Sequence, residues 1–341
     1  MDLEPGYEAF DYVLPEDRIA QEPLADRSAS KLLHVSLADK AIFHRSFRDV
    51  VDLLLPGDLL VVNNTTVTAL RVFGHRPTGG RVELLLLKEL GDGQFQALAR
   101  PGRRVRPGDE IELENGLIAT VSSELEHGQK AITFTQPGWR EALNEVGLAP
   151  VPPYVQTELK DRGRYQTVYH DEKFGGSAAA PTAGLHFTPK ILADLDARGV
   201  ERVAVTLDVG LDTFRPVSSD NPKEHIIHGE RCAVSQEAAD QIMSCKGRVI
   251  AVGTTSVRTL ETFATGPKTL RTGSEESRLF ITPGYEYRIV DGMFTNFHMP
   301  RTTMMLMISA LAGGPLIRDA YQEALRENYR FLSFGDSMLI L

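Results

Sequence analysis

Between residues 61 and 150 the chain alternates apolar and polar positions in runs too short for helices, and this stretch restricts the fold more than any other. The runs cover 67–73, 81–87, 94–100, 110–114, 117–122 and 131–135. A period of two turns alternate side chains to opposite faces of a strand. Asp92-Gly93 and Asn115-Gly116 are dipeptides favoured in two-residue hairpin turns, whose central positions take positive φ. Six such strands with tight turns predict a small antiparallel barrel, a sheet closed on itself without edges. Pro150, Pro152 and Pro153 mark its exit.

The flanks follow a different rhythm. From residue 181 the pattern predicts helix 189–198, strand 201–207, helix 236–246, strand 248–252 and helix 256–264. Alternation of this kind predicts an α/β domain around a largely parallel sheet, which apolar segments in residues 1–60 can complete. Residues 286–297 contain Asp291-Gly292 and read as a hairpin, while 302–312 and 315–328 read as helices. The expected architecture is therefore a larger mixed α/β domain, residues 1–62 plus 151–341. Into it is inserted a small antiparallel six-stranded β-barrel domain, residues 63–150.

A length of 341 residues suits about two domains, with enough buried surface to need neither disulfide nor metal. Cys232 and Cys245 are too few for a disulfide framework and fit a reducing cytoplasm. The N-terminus has no basic-then-apolar signal pattern, and no run approaches the ~18 apolar residues of a membrane span. A cytoplasmic monomer with no membrane partner is expected. The net charge of −9 argues mildly against nucleic acid. Distribution counts for more, however, and Arg100, Arg103, Arg104 and Arg106 form a dense basic loop. It is either a solvated turn or a contact for a nucleic-acid backbone.

Residues 181–188 read Pro-Thr-Ala-Gly-Leu-His-Phe-Thr. Thr188 has N-cap chemistry, Pro189 suits the first helical position, and Gly199 suits the position past the end. His186 then stands at a helix mouth, where N–H groups favour anions, or is a buried, hydrogen-bonded histidine. Gly253-Thr254-Thr255-Ser256 follows a β-branched strand and opens a helix, a usual place for a polar ligand. The same hydroxyls can also simply cap that helix. Arg258, one turn on, can clamp a carboxylate or pair with Glu261. His225 and His228, with Glu230 following, permit acid–base or hydrogen-bonding roles, and no metal is expected there. Asn296 and His298 precede an apolar helix, whose Met304, Met305 and Met307 read as core. Asp336 is a structural hub or a substrate acceptor. Asn63-Asn64-Thr65 can read a purine-like edge or make a turn.

Several segments, in order, resemble one family. They are Leu14-Pro15-Glu16, Gly57-Asp58-Leu59-Leu60-Val61-Val62-Asn63-Asn64-Thr65, Pro152-Pro153-Tyr154 and Tyr165-Gln166-Thr167-Val168-Tyr169, then the 181–188 octapeptide. They continue with Val205-Thr206-Leu207-Asp208-Val209-Gly210, Thr213-Phe214-Arg215-Pro216, His225-Ile226-Ile227-His228, residues 249–261, Thr295-Asn296-Phe297-His298 and Gly335-Asp336. The chain resembles the S-adenosylmethionine:tRNA ribosyltransferase-isomerases of queuosine biosynthesis. The resemblance implies a two-part α/β-plus-barrel fold. It also implies S-adenosylmethionine as co-substrate and a tRNA carrying 7-aminomethyl-7-deazaguanine as acceptor, with no metal or second cofactor.

In that reaction a base removes a proton from the ribose 5′ carbon beside the sulfonium. The resulting ylide attacks the modified base, adenine and methionine leave, and an epoxycyclopentanediol forms. The resemblance implies acid–base work among His186, His228 and His298 with Asp208 nearby. Substrate contacts are expected from Asn63, Asn64, Thr65, Arg71, Thr182, Gly184, Arg215, His225, Glu230, Thr254, Thr255, Ser256, Arg258, Asn296 and Asp336. The basic loop Arg100, Arg103, Arg104 and Arg106 would hold tRNA.

Three positions depart from the family pattern. Thr66 stands for Arg, Asp208 for His, and Asp212 for a small residue. The change at Asp208 replaces an imidazole of pKa about 6.5 with a carboxyl of about 3.9. A divergent enzyme acting on another acceptor, and a non-catalytic RNA-binding protein of this fold, are the alternative readings.

Overall fold

The computed structural model describes residues 6–159, 161–210, 227 and 229–341. Its centre is a nine-stranded sheet in the order Gly273–Ser277, Glu230–Val234, Glu201–Leu207, Leu59–Asn63, Val249–Val252, Gly292–Asn296, Ser337–Ile340, Lys31–Ser36, Ala41–Ser46. The four strands from Glu201–Leu207 to Gly292–Asn296 run parallel to one another. Towards both edges the pairing turns antiparallel, apart from the parallel contact of Lys31–Ser36 with Ser337–Ile340. The sheet is thus parallel at its middle and mixed overall.

Period-two burial builds its two faces. Leu59 and Val61 point into one core, with Val203, Val205, Val249 and Ala251 and the helices Gln236–Ser244, Thr254–Phe263, Thr303–Ala312 and Gly314–Arg326. Leu60 and Val62 point into the other, with Ile250, Val252 and Phe294, against Phe47, Val50, Leu54 and helix Pro189–Ala197. That helix has the predicted ends. The Thr188 hydroxyl accepts from the Ile191 N–H, Pro189 opens the first turn, and Gly199 follows at φ +78°. No helix among the described residues is long and apolar enough to cross a membrane.

The second body is a closed barrel of six strands: Leu70–His75, Arg81–Gly91, Gln94–Arg100, Glu110–Leu113, Ile118–Glu124 and Lys130–Thr133. Val72, Leu84, Leu86, Ile111, Val121 and Ile132 fill it. Helix Trp139–Val146, which the alternation pattern does not predict, closes one side by stacking Trp139 on Phe134.

The hairpin expected at 286–297 does not form. Gly292–Asn296 is a strand, but it pairs parallel with Val249–Val252, and the residues before it form no strand. Glu261 is the cause. Its carboxylate, 4 % exposed, accepts the N–H groups of Arg288, Ile289 and Val290 and the Tyr285 hydroxyl. A carboxylate so placed satisfies the donors a partner strand would otherwise take.

Candidate active site at the carboxyl rim of the sheet

Parallel strands bring their carboxyl ends to one rim, where open α/β sheets carry their ligands. Asn63, Asp208, Gly253 and Asn296 stand there at or just past the ends of the four central strands. Glu230 and Ser337 begin antiparallel strands at the same rim. Two cavities open on it. The first is walled by Thr182, Val209, Gly253, Asn296, His298 and Ser333 among others, the second by Glu230, Arg258, Leu279, Ile281 and Met307 among others. Thr254, Thr255 and Met304 belong to both walls, so the cavities meet at the start of helix Thr254–Phe263.

The 181–188 octapeptide forms a tight turn, Thr182–His186, ahead of its helix. From it runs a chain of hydrogen bonds. The Thr182 hydroxyl donates to Asn296 Oδ1 at 2.9 Å, and Asn296 Nδ2 lies 3.2 Å from His186 Nε2. His186 Nδ1 lies 2.8 Å from Ser30 Oγ, whose proton goes to the Arg27 carbonyl. With the amide oxygen taken by Thr182, its N–H donates to Nε2, and the ring proton sits on Nδ1. Burial, with Arg27 and Arg330 nearby, pushes the His186 pKa down to about 3. The ring is therefore neutral, packed against Phe47, and both its nitrogens are engaged. His298 is neutral for the same reason, its pKa pushed to about 3 by burial, with Nε2 2.6 Å from Thr295 Oγ1. Its backbone is pinned by the Tyr12 and Tyr321 hydroxyls.

Gly184 sits in the octapeptide for a steric reason. A Cβ there would lie 1.9 Å from the Tyr169 hydroxyl and 2.9 Å from Thr167 Cγ2. The segments 165–169 and 181–188 are thus locked face to face. Gly184→Ala is expected to destabilise the protein by about 1–3 kcal/mol, the range of overpacked cores. Tyr169→Phe, which removes a buried hydroxyl with no hydrogen-bond partner among the described residues, should be nearly neutral alone and recover part of the loss in the double variant. Denaturant midpoints of the four proteins check this, and a midpoint unchanged by Gly184→Ala would refute it.

The remaining expected residues divide sharply. Arg258 pairs with Glu230 at 2.6 Å, not with Glu261, and also donates to the Ser277 carbonyl. Glu230 accepts the Gly210 N–H with its other oxygen. Ser256 is fully buried and bonds back to the Val252 carbonyl. Asn63 is spent on structure. Its oxygen accepts from Thr65 and Leu207 and its NH₂ donates to the Leu207 carbonyl, strapping two central strands together. Asn64 accepts the Thr206 hydroxyl. Asp336 accepts the Lys31 and Arg330 N–H groups on its two oxygens, the arrangement of a hub.

Asp208 is not in either cavity wall. It accepts the Thr65 hydroxyl at 3.2 Å, and burial lifts its carboxyl above the ordinary range. Thr66 donates to the Asp171 carbonyl. Arg71 pairs with Glu83 and, together with Arg100, lines a separate 450 Å³ cleft between the barrel and the 150–155 segment. Arg100, Arg103, Arg104 and Arg106 are all exposed, on a loop anchored by fully buried Val105. Asp212, Arg215, His225 and His228 lie outside the described residues.

Ser30 completes the site although no sequence pattern marks it, and Thr295 is flagged only as the first residue of the Thr295-Asn296-Phe297-His298 motif. Tyr154 bonds Ser333 in the wall of the first cavity, and only its Pro-Pro-Tyr motif flags it.

Comparison with known proteins identifies the family to which this fold belongs. Residues 7–340 match the family model described as queuosine biosynthesis protein. The S-adenosylmethionine:tRNA ribosyltransferase-isomerase of Symbiobacterium thermophilum is 49 % identical over 338 residues, covering 97 % of this chain and 98 % of that protein. The crystal structure of S-adenosylmethionine tRNA ribosyltransferase from Thermotoga maritima aligns with TM-score 0.55 and 34 % identity, over 98 % of this chain and 100 % of that one. The chain, with its two-part fold, thus belongs to the queuosine biosynthesis protein family.

Proposed function

We propose that the protein transfers and isomerises the ribosyl moiety of S-adenosylmethionine onto 7-aminomethyl-7-deazaguanine in tRNA, releasing adenine and methionine. The observation that carries this is the buried polar chain Thr182–Asn296–His186–Ser30, which delivers oriented amide and hydroxyl groups to the first cavity. The reaction asks for a group to take the 5′ proton and for donors towards departing adenine. His298, neutral and in the cavity wall, is better placed for proton transfer than His186, the other catalytic candidate among the described residues. His186, with both nitrogens engaged, orients Asn296. The 49 % identity over nearly the whole length favours this reading over a divergent acceptor or a non-catalytic role.

The test incubates the protein with S-adenosylmethionine and tRNA bearing the aminomethyl base. Adenine, methionine and the digested nucleosides are quantified by mass spectrometry. Adenine release matched by epoxyqueuosine is expected, and methionine without a modified nucleoside would reject the reading. The exposed arginines contribute in the same framework. Arg103→Ala should weaken tRNA binding and reduce the slope of log affinity against log salt by about 1, the effect of one lost phosphate contact. An unchanged slope removes that loop from the tRNA interface.

A further inference from the structure

The neck where the two cavities meet has an unusual set of unanswered polar groups. Helix Thr254–Phe263 starts there after Gly253, which holds φ +90° and supplies no side-chain cap. The first N–H groups of such a helix point outward and favour an anion. Thr255 is only 8 % exposed, lines both cavities, and its hydroxyl has no hydrogen-bond partner among the described residues. A buried hydroxyl without a partner costs stability, and a ligand that supplies an acceptor removes that cost. Three residues on, Arg258 shares the helix face of Thr255 and holds Glu230 against the second cavity. Beyond them the wall is apolar: Leu279, Ile281 and Met307, with Met304 at the neck.

A carboxylate seat, a carboxylate for a cation and an apolar slot, side by side, match a zwitterionic amino acid with an unbranched apolar side chain. The Glu230–Arg258 pair is neutral as a unit, as are the α-carboxylate and α-ammonium taken together, so the amino-acid end brings no unbalanced charge into the buried site. The sulfonium of S-adenosylmethionine adds its one positive charge only at the junction with the adenosyl half. We infer that this neck binds the methionyl end of S-adenosylmethionine, and free L-methionine as product. The α-carboxylate sits on the helix start and Thr255 Oγ1, the α-ammonium faces Glu230, and the side chain lies along the apolar wall. The inference rests on the ribosyl-transfer reading for the adenosyl half, which then extends into the first cavity. Arg258 is a positioning residue that fixes Glu230.

Calorimetry with the full chain and L-methionine, and competition between L-methionine and S-adenosylmethionine, test it. L-Methionine is expected to bind and to compete. L-Methioninol, without the carboxylate, and 4-(methylthio)butanoate, without the ammonium, should each bind at least about tenfold more weakly, the value of one charge-assisted hydrogen bond. Thr255→Val should weaken L-methionine by about tenfold while leaving the melting temperature of the free protein unchanged or raised, since the lost hydroxyl has no partner among the described residues. Glu230→Gln should weaken L-methionine but not 4-(methylthio)butanoate. L-Methionine that fails to bind or to compete, or that binds Thr255→Val as tightly as the parent, overturns the inference. Methionine binding intact with no adenine released from S-adenosylmethionine and tRNA would instead reject the ribosyl-transfer reading and leave the amino-acid seat standing.

Discussion

Asn296→Leu is expected to lower ribosyl transfer at saturating substrates by about 10²–10³-fold, the cost of removing one preorganised polar group from a water-poor site. The side chain is 4 % exposed, in a cavity wall, and joins the Thr182 hydroxyl to the His186 ring. Leucine has similar volume but leaves that hydroxyl and the Nε2 lone pair without partners. Part of the loss can come from disorder at those groups, so Asn296→Asp is the informative companion. A carboxylate facing Nε2 puts acceptor against acceptor unless the imidazole takes a proton or shifts its Nδ1 proton to Nε2, a shift that turns the Ser30 hydroxyl onto Nδ1 and gives up its bond to the Arg27 carbonyl. The aspartate variant should therefore regain activity towards acid, as His186 becomes cationic and the contact is restored. Single-turnover rates between pH 5.5 and 8 read this. A variant with parental rate throughout would show that Asn296 serves only to hold the turn.

Acid should unfold the protein early, and the two buried histidines give the direction. Both have folded pKa values pushed to about 3, against about 6.5 unfolded. Between those limits the unfolded chain binds more protons, so stability rises with pH across the window and is lost as pH falls below about 6.5. At pH 5 each histidine removes about 2 kcal/mol relative to neutral pH, about 4 kcal/mol for the pair, a large fraction of a typical stability. Asp336 and Asp208 act in the opposite sense. Burial raises both carboxyls, so the folded state binds more protons than the unfolded one just above pH 3.8, and their contribution grows as pH falls through the raised values. The net slope is set by which pair wins. Two full histidine shifts against two partly compensated carboxyl shifts predict net acid destabilisation. Urea unfolding at pH 7 and pH 5 measures it, and His298→Gln should roughly halve the histidine share. Equal stability at both values would mean that the rings are protonated in the fold.

What the sequence revealed depended on distance along the chain. The barrel strands and the capped helix at Thr188 were legible because period-two alternation, hairpin dipeptides and caps act within a few residues. The 286–297 segment reads locally as a hairpin but does not form one, because the carboxylate that occupies its donors belongs to Glu261, 27 to 29 residues earlier. The sheet expected to be largely parallel is mixed because the connection from Gly292–Asn296 to Ser337–Ile340 returns antiparallel through two helices. At the site, His186 and Asn296 are visible as chemistry, but Ser30, 156 residues from His186, is not, and it is Ser30 that takes the ring proton which the Thr182–Asn296 contact leaves on Nδ1. Asn63 looked like a reader of a base edge, yet its bonds to Leu207, 144 residues on, make it a strap.

The strand order has a further consequence, for synthesis. Strand Ser337–Ile340 lies inside the sheet, between Gly292–Asn296 and Lys31–Ser36, and all four of its residues are buried. Lys31–Ser36 leaves the ribosome early and must wait, with Leu32, Leu33 and Val35 exposed, until some 300 further residues are made. The barrel closes from contiguous sequence and can fold while translation continues. The nine-stranded sheet cannot close until Ser337–Ile340 has been made, so during synthesis the barrel should fold first and the rim with its two cavities should be completed later.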